Sequence, residues 1–147
     1  AAHYTLMGIE TLRIRMQRHV ENSLAVAQWL DAHPAVRHVS YPGLTSSPQF
    51  QRQQSLYPKG AGALFSFTMT DGYDACVRTV EKLNLISHVA NLGDSRSLII
   101  HSASTTHRQL DENQQVAAGA GPDVLRLSVG METVSDIIAD LQQAMSS

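Results

Sequence analysis

Ile9, Leu12, Met16, Val20, Leu24, Ala27 and Leu30 recur at intervals of three and four residues, which lines one side of a helix. The pattern predicts a long amphipathic helix that closes at Asp31-Ala32-His33-Pro34, since the residue before a proline is pushed out of helical backbone. A short strand over 36–41 follows, stopped by Pro42-Gly43, and then a polar stretch in which Pro48 suits the first turn of a helix through Gln54. Ala63, Phe65, Phe67 and Met69 alternate with Leu64, Ser66 and Thr68, the period of two of a strand. Asp71 is placed to cap a helix over 73–83. Two more strands, 86–90 and 97–101, flank the turn Asn91-Leu92-Gly93-Asp94. A polar helix over 109–118 ends at Gly119 and Gly121, and 124–129 forms the last strand. Thr133 and Asp136 have the spacing of a capping box, ahead of a stripe of Val134, Ile137, Ile138, Leu141 and Met145. Four or so strands together with one-sided helices that all need cover imply an α+β fold. The expectation is a two-layer sandwich: roughly four mainly antiparallel strands, helices on one face, and the long helix leading.

Composition narrows the class. A chain of 147 residues fits one domain with a core rather than two. With 43% hydrophobic and 16% charged residues it reads as a soluble globular protein, and the low charged share suggests that part of its surface is covered. A net charge of −2 leaves no footprint for nucleic acid, and Arg13, Arg15 and Arg18 point in different directions at helical spacing. No apolar run approaches a membrane span, and the first residues lack the layout of a signal peptide, so the expected location is cytoplasmic. The single Cys76 excludes an internal disulfide, and within the pattern of Val77, Val80 and Leu83 it reads as a buried small hydrophobe. The opening Ala1-Ala2-His3-Tyr4, without an initiator methionine or a cap, reads as a cut end.

The candidate chemistry centres on two segments. In the last strand Leu125, Leu127 and Val129 share one face while Val124, Arg126 and Ser128 share the other. Arg126 therefore reads first as a solvent-facing strand arginine. The alternative is a carboxylate anchor, because guanidinium offers a rigid fork to both oxygens. The second segment, His101-Ser102-Ala103-Ser104-Thr105-Thr106-His107, directly follows an apolar strand. His88, Asp94, His101 and His107 match no metal-site spacing, so no metal is expected, and His107 reads as hydrogen-bonded in a turn. Ser102, Ser104, Thr105 and Thr106 lack a nucleophile elbow. Neither Lys59, in a Pro-Lys-Gly loop, nor Lys82, at a helix end, has the setting that activates an amine. On its residues alone the chain shows part of a binding site and no reactive group.

One resemblance runs along the whole chain. It begins with Gly8-Ile9-Glu10-Thr11-Leu12, Arg15-Met16, His19 and Asn22, then passes through His33-Pro34, Tyr41-Pro42-Gly43-Leu44 and Lys59-Gly60-Ala61-Gly62-Ala63. It is densest in Asn91-Leu92-Gly93-Asp94, Ser97-Leu98-Ile99-Ile100-His101, Ala103-Ser104-Thr105-Thr106-His107 and Arg126-Leu127-Ser128-Val129-Gly130. In order and spacing these segments resemble the C-terminal part of the Cys/Met-metabolism (trans-sulfuration) family of pyridoxal-phosphate enzymes, and most of all its O-acetylhomoserine sulfhydrylase branch.

The resemblance implies a residue-by-residue reading. Arg126 stands where the family's arginine binds the substrate α-carboxylate, and Asn91, Leu92 and Gly93 would be its neighbours. Many members have serine at the place of Asn91, and asparagine points to the sulfhydrylase branch. Ala90 matches a position that helps set substrate choice, and Thr106 would support Arg126 from behind. Ser102 departs from the family's usual proline. The Schiff-base lysine, phosphate-binding glycines, stacking tyrosine and pyridinium-facing aspartate belong to a large domain that precedes this part.

Residues 1–33 are then expected to be an interdomain helix and 34–147 the C-terminal substrate-binding domain of a fold-type I enzyme, inactive alone. The implied cofactor is pyridoxal 5'-phosphate, and the implied reaction replaces acetate at Cγ by sulfide or a small thiol. The partners would be a small amino-acid substrate, the large domain and other subunits of a homotetramer, with neither nucleic acid nor membrane. Alternatives are a domain of cystathionine γ-synthase or methionine γ-lyase, a stand-alone small-carboxylate-binding module, and a structural scaffold.

Overall fold

The computed structural model describes residues 2–146. Its elements run α1 (Ala2–Glu10), α2 (Leu12–Asp31), β1 (Val36–Ser40), α3 (Phe50–Leu56), β2 (Leu64–Met69), α4 (Gly72–Lys82), β3 (Ser87–His88), β4 (Leu98–His101), α5 (Glu112–Ala117), β5 (Val124–Ser128) and α6 (Val134–Met145). One sheet carries all five strands in the order β1-β2-β5-β4-β3. Four strands are antiparallel to their neighbours, and β3 runs parallel to β4 through two residue pairs. The expected four-stranded sheet is thus corrected to five. The strand expected over 86–90 is present as Ser87–His88 alone, which pair with Leu98 and Ile99.

The core is built on one face of the sheet. Val39, Phe65, Phe67, Met69, Ile99, Leu125, Leu127 and Val129 pack there with Val26, Ala27 and Leu30 of α2, Ala75, Cys76 and Val80 of α4, and Ile137 and Leu141 of α6. The helices α2, α4 and α6 therefore form the second layer.

The leading helix is not one piece. Thr11 breaks it into α1 and α2, and Tyr4, Leu6, Met7, Ile9 and Ile14 stay more than half exposed. The apolar period continues through the break, which is why the sequence reads as one helix, but burial starts only at His19. The buried face of α2 is His19, Asn22, Ser23, Val26, Ala27 and Leu30, so its first half there is polar. Those side chains have backbone partners far away in sequence: His19 Nδ1 donates to the Val129 carbonyl at 2.7 Å, and Asn22 Nδ2 to the Gly130 and Glu132 carbonyls at 3.0 and 2.8 Å.

Capping differs from expectation as well. Thr133 and Asp71 occupy N-cap positions without a side-chain cap bond. A full capping box forms instead at α5, where Asp111 accepts from the Gln114 N–H and the Gln114 side chain accepts from the Asp111 N–H.

Candidate functional site

β5 lies between β2 and β4 and is hydrogen-bonded on both sides, so its side chains are held as rigidly as this fold permits. Leu125, Leu127 and Val129 are fully buried in the core. Alternation turns Arg126 and Ser128 to the opposite face, where Arg126 stands across from Ser66 on β2 and Ile100 on β4. Arg126 is half-buried, and among the described residues no hydrogen bond or ion pair engages its guanidinium. Among the described residues the ion pairs lie elsewhere, joining Arg37 to Asp123 and Arg96 to Asp94.

Ser128 brings the turn to this face. Its hydroxyl accepts the Gly93 N–H at 3.1 Å. Gly93 has φ +74°, a left-handed conformation that a residue with a Cβ enters at a cost. Upstream, the Val89 N–H meets the Ile99 carbonyl and the Asn91 N–H folds back to the Val89 carbonyl. Asn91 Oδ1 accepts the Leu92 N–H at 2.9 Å. Ala90, Asn91 and Leu92 present their side chains to solvent.

The run after β4 is occupied with holding itself. His101 is buried: its Nε2–H donates to the Pro122 carbonyl, its Nδ1 accepts from Ser104, and its ring meets the edge of Tyr73. Burial holds its pKa below the ordinary histidine value, helped by His88 and opposed by the Pro122 carbonyl. Thr105 Oγ1 donates to the His101 carbonyl, and Gln115 Nε2 bridges the Ala103 and His107 carbonyls. Ser102, in place of the expected proline, lends its carbonyl to the N–H groups of Thr105 and His107. Thr106 is exposed and pairs with His107 Nδ1 at 2.9 Å, with no bond to Arg126.

Arg126 offers its guanidinium beside the hydroxyl residues Ser66, across the sheet, and Ser128, on its own strand, with the turn tied to Ser128. That set suits a carboxylate. It does not suit pyridoxal phosphate, whose aldehyde needs a lysine and whose ring nitrogen needs a charged partner. Lys59 and Lys82 are both exposed, and neither belongs to β4, β5 or the turn. Cys76 is enclosed in the core, its thiol pushed up to about 12 by burial and then by Asp123. Among the described residues no group of three His, Cys, Asp or Glu is placed to hold a metal, and no helix is long and apolar enough to cross a membrane. A cleft of about 990 Å³ has Arg13, Met16, Val20, Arg52, Leu56 and Lys59 in its wall, and Arg126 does not line it.

Two residues that build this region carry no role in the sequence reading: Ser128, which seats the turn, and Asp140 on α6. The Asp140 carboxylate accepts the N–H groups of Asn84, Leu85 and Ile86, each at 2.9 Å, fixing the chain that enters β3 and the turn. For Ser128 the signal was its place two residues from Arg126 on one strand face. Asp140 offered none, because the backbone N–H groups it binds lie more than fifty residues away.

Residues 1–146 match the family described as Cys/Met metabolism PLP-dependent enzyme. Over 145 residues the chain is 47% identical to O-acetyl-L-homoserine sulfhydrylase 1 of Thermus thermophilus, covering 99% of this chain and 34% of that protein. The homocysteine synthase of Schizosaccharomyces pombe is 44% identical over 140 residues, 95% of this chain and 33% of its own. A Campylobacter jejuni protein solved as a proposed O-acetylhomoserine (thiol)-lyase superposes with a TM-score of 0.90 at 42% identity, over 97% of this chain and 34% of that one; its crystal structure holds N'-pyridoxyl-lysine-5'-monophosphate. The chain spans about a third of the length of the curated relatives it matches.

Proposed function

Because this chain belongs to the family of Cys/Met-metabolism PLP-dependent enzymes, we propose that it forms the C-terminal, substrate-binding part of an O-acetylhomoserine sulfhydrylase. In the overall reaction O-acetylhomoserine and sulfide give homocysteine and acetate, a small thiol replacing sulfide in a variant of it. The observation that carries the reading is Arg126, half-buried on the central strand with no hydrogen bond or ion pair to its guanidinium among the described residues, and with the turn at residues 90–93 tied to the same strand.

Arg126 grips the α-carboxylate through its two-pronged guanidinium and so fixes the orientation of the Cα substituents. Asn91 and Leu92 border the carboxylate, Ala90 shapes the space for the rest of the substrate, and Thr106 lies on the rim. The groups that hold the cofactor come from the remaining two thirds of the enzyme, and this chain alone is inactive. Residues 1–33 form the link to that large domain, with 34–147 as the substrate-binding domain. The exposed Tyr4, Leu6, Met7, Ile9 and Ile14 supply an apolar surface for packing against it. The reading extends to a cytoplasmic homotetramer.

Arg126→Ala in the whole enzyme tests the assignment. The expected loss is about a hundredfold in kcat/KM, on the order of 3 kcal/mol for a charge-assisted fork removed from a partly buried site. Arg126→Lys does not restore it, because an ammonium lacks the fork. Near-normal turnover of Arg126→Ala refutes the reading.

A further inference from the structure

Taking Arg126 as the carboxylate anchor, as in the reading above, we propose that Glu132 is a positioning residue: through Ser97 and Gly130 it holds the turn at residues 90–93 in register with Arg126.

The four residues that leave β5, 129–132, are gripped from two sides. From α2, His19 and Asn22 take up the carbonyls of Val129, Gly130 and Glu132. From the segment ahead of β4, the Ser95 carbonyl accepts the Met131 N–H at 2.8 Å, and Ser97 Oγ accepts the Gly130 N–H at 2.8 Å. The Glu132 carboxylate closes this clamp. One oxygen accepts the Ser97 N–H at 2.6 Å and the other accepts the Ser97 hydroxyl at 3.0 Å. The single hydroxyl proton of Ser97 therefore goes to Glu132, which leaves a lone pair for Gly130 and fixes the direction of every bond.

Shape agrees with this. Ser97 is fully buried, and a Cβ added at Gly130 would meet the Arg96 carbonyl carbon and the Ser97 nitrogen at 2.5 Å. Only glycine lets the two backbones approach so closely.

The segment 93–97 is consequently stitched to the exit of β5 at both ends: the Gly93 N–H on Ser128, and Ser97 on Glu132 and Gly130. Between the stitches Asp94 Oδ1 accepts the Arg96 N–H at 3.0 Å. Ser128 and Arg126 project from one face of one strand, so the turn is referenced to the same backbone as the anchor. Without Glu132 the Ser97 N–H is left buried with no acceptor, which the chain relieves by shifting the segment toward water. Displacements of about 1 Å at a positioned substrate cost up to about a hundredfold.

The test uses the whole holoenzyme with O-acetyl-L-homoserine as substrate and 3-aminopropyl acetate, the same skeleton without the carboxylate, as competitive ligand. Glu132→Ala is expected to raise KM for the substrate roughly tenfold with kcat changed less than about threefold, and to leave the inhibition constant of the decarboxylated ligand unchanged. In an Arg126→Ala background the same substitution adds no further loss, since both act on one contact. Should the alanine variant fail to fold, Glu132→Gln keeps one oxygen for the Ser97 N–H and shows the same selectivity at smaller size. Equal losses for both ligands, or losses that add to those of Arg126→Ala, overturn the role of Glu132 while leaving the anchor standing. A costless Arg126→Ala overturns the anchor itself, and the role of Glu132 with it.

Discussion

Asp140 offers the most direct measurement of what holds the site loop in place. Its carboxylate, on a residue only 7% exposed, accepts three consecutive backbone N–H groups and the Gln143 amide. Burial pushes this carboxyl up, but the N–H groups of Asn84, Ile86 and Leu85 together outweigh it and hold the pKa below the ordinary 3.8. Hydrogen bonds to a charged group contribute about 1.5–3 kcal/mol each, and three that share one carboxylate do not add. In Asp140→Ala the Asn84 and Leu85 N–H groups regain water, whereas that of buried Ile86 does not. The net cost is therefore about 3 kcal/mol, and about half that for Asp140→Asn, which keeps one acceptor oxygen. For a chain of this size 3 kcal/mol corresponds to a melting point about 6–12 °C lower. Because the folded pKa is depressed, this stability is fully present above 3.8 and is lost as pH falls through the folded value. Urea denaturation of wild type and both variants at pH 7 and at falling pH measures it. An Asp140→Ala cost under about 1 kcal/mol at pH 7, below the usual penalty for an orphaned buried amide, refutes the argument, as does a gap to Asp140→Asn that stays constant into acid.

Two further outcomes follow from the same structure. His101 is buried in its neutral form with a depressed pKa, so its contribution is intact above 6.5 and is lost as pH falls through the folded value; urea midpoints should fall from pH 7.5 to pH 5, and His101→Gln should flatten that slope. The 147-residue chain, purified and mixed with pyridoxal phosphate and O-acetylhomoserine, should release no acetate, and measurable turnover would refute the division of labour proposed for it.

Periodicity and alternation made most of the elements legible. The alternation over 124–129 alone separates the core leucines from Arg126, because a strand's period of two is a local property. The break at Thr11 was not legible, since the apolar spacing that signals a helix carries through it while burial does not begin until His19. The polar face of α2 was equally hidden: His19 and Asn22 look partnerless in sequence because the carbonyls they satisfy lie more than one hundred residues on. β3 is shorter than the strand expected over 86–90, because only Ser87 and His88 pair with β4. Within the site, Arg126 and the turn were visible as motifs, but Ser128, Ser97, Glu132 and Asp140 act on backbone groups, and a sequence does not display which backbone group a side chain meets.

The way the turn is held bears on which of its positions are free to change. Every tie from 93–97 to the exit of β5 uses a backbone group of that segment or the side chain of Ser97, while the side chains of Ala90, Asn91 and Leu92 point outward and fix nothing beyond their own turn. The frame of the turn thus rests on 93–97, whereas in the proposed reading selectivity rests on 90–92. On that reading, selection or a designer can rewrite positions 90–92 while the ties of 93–97 to β5 stay as they are.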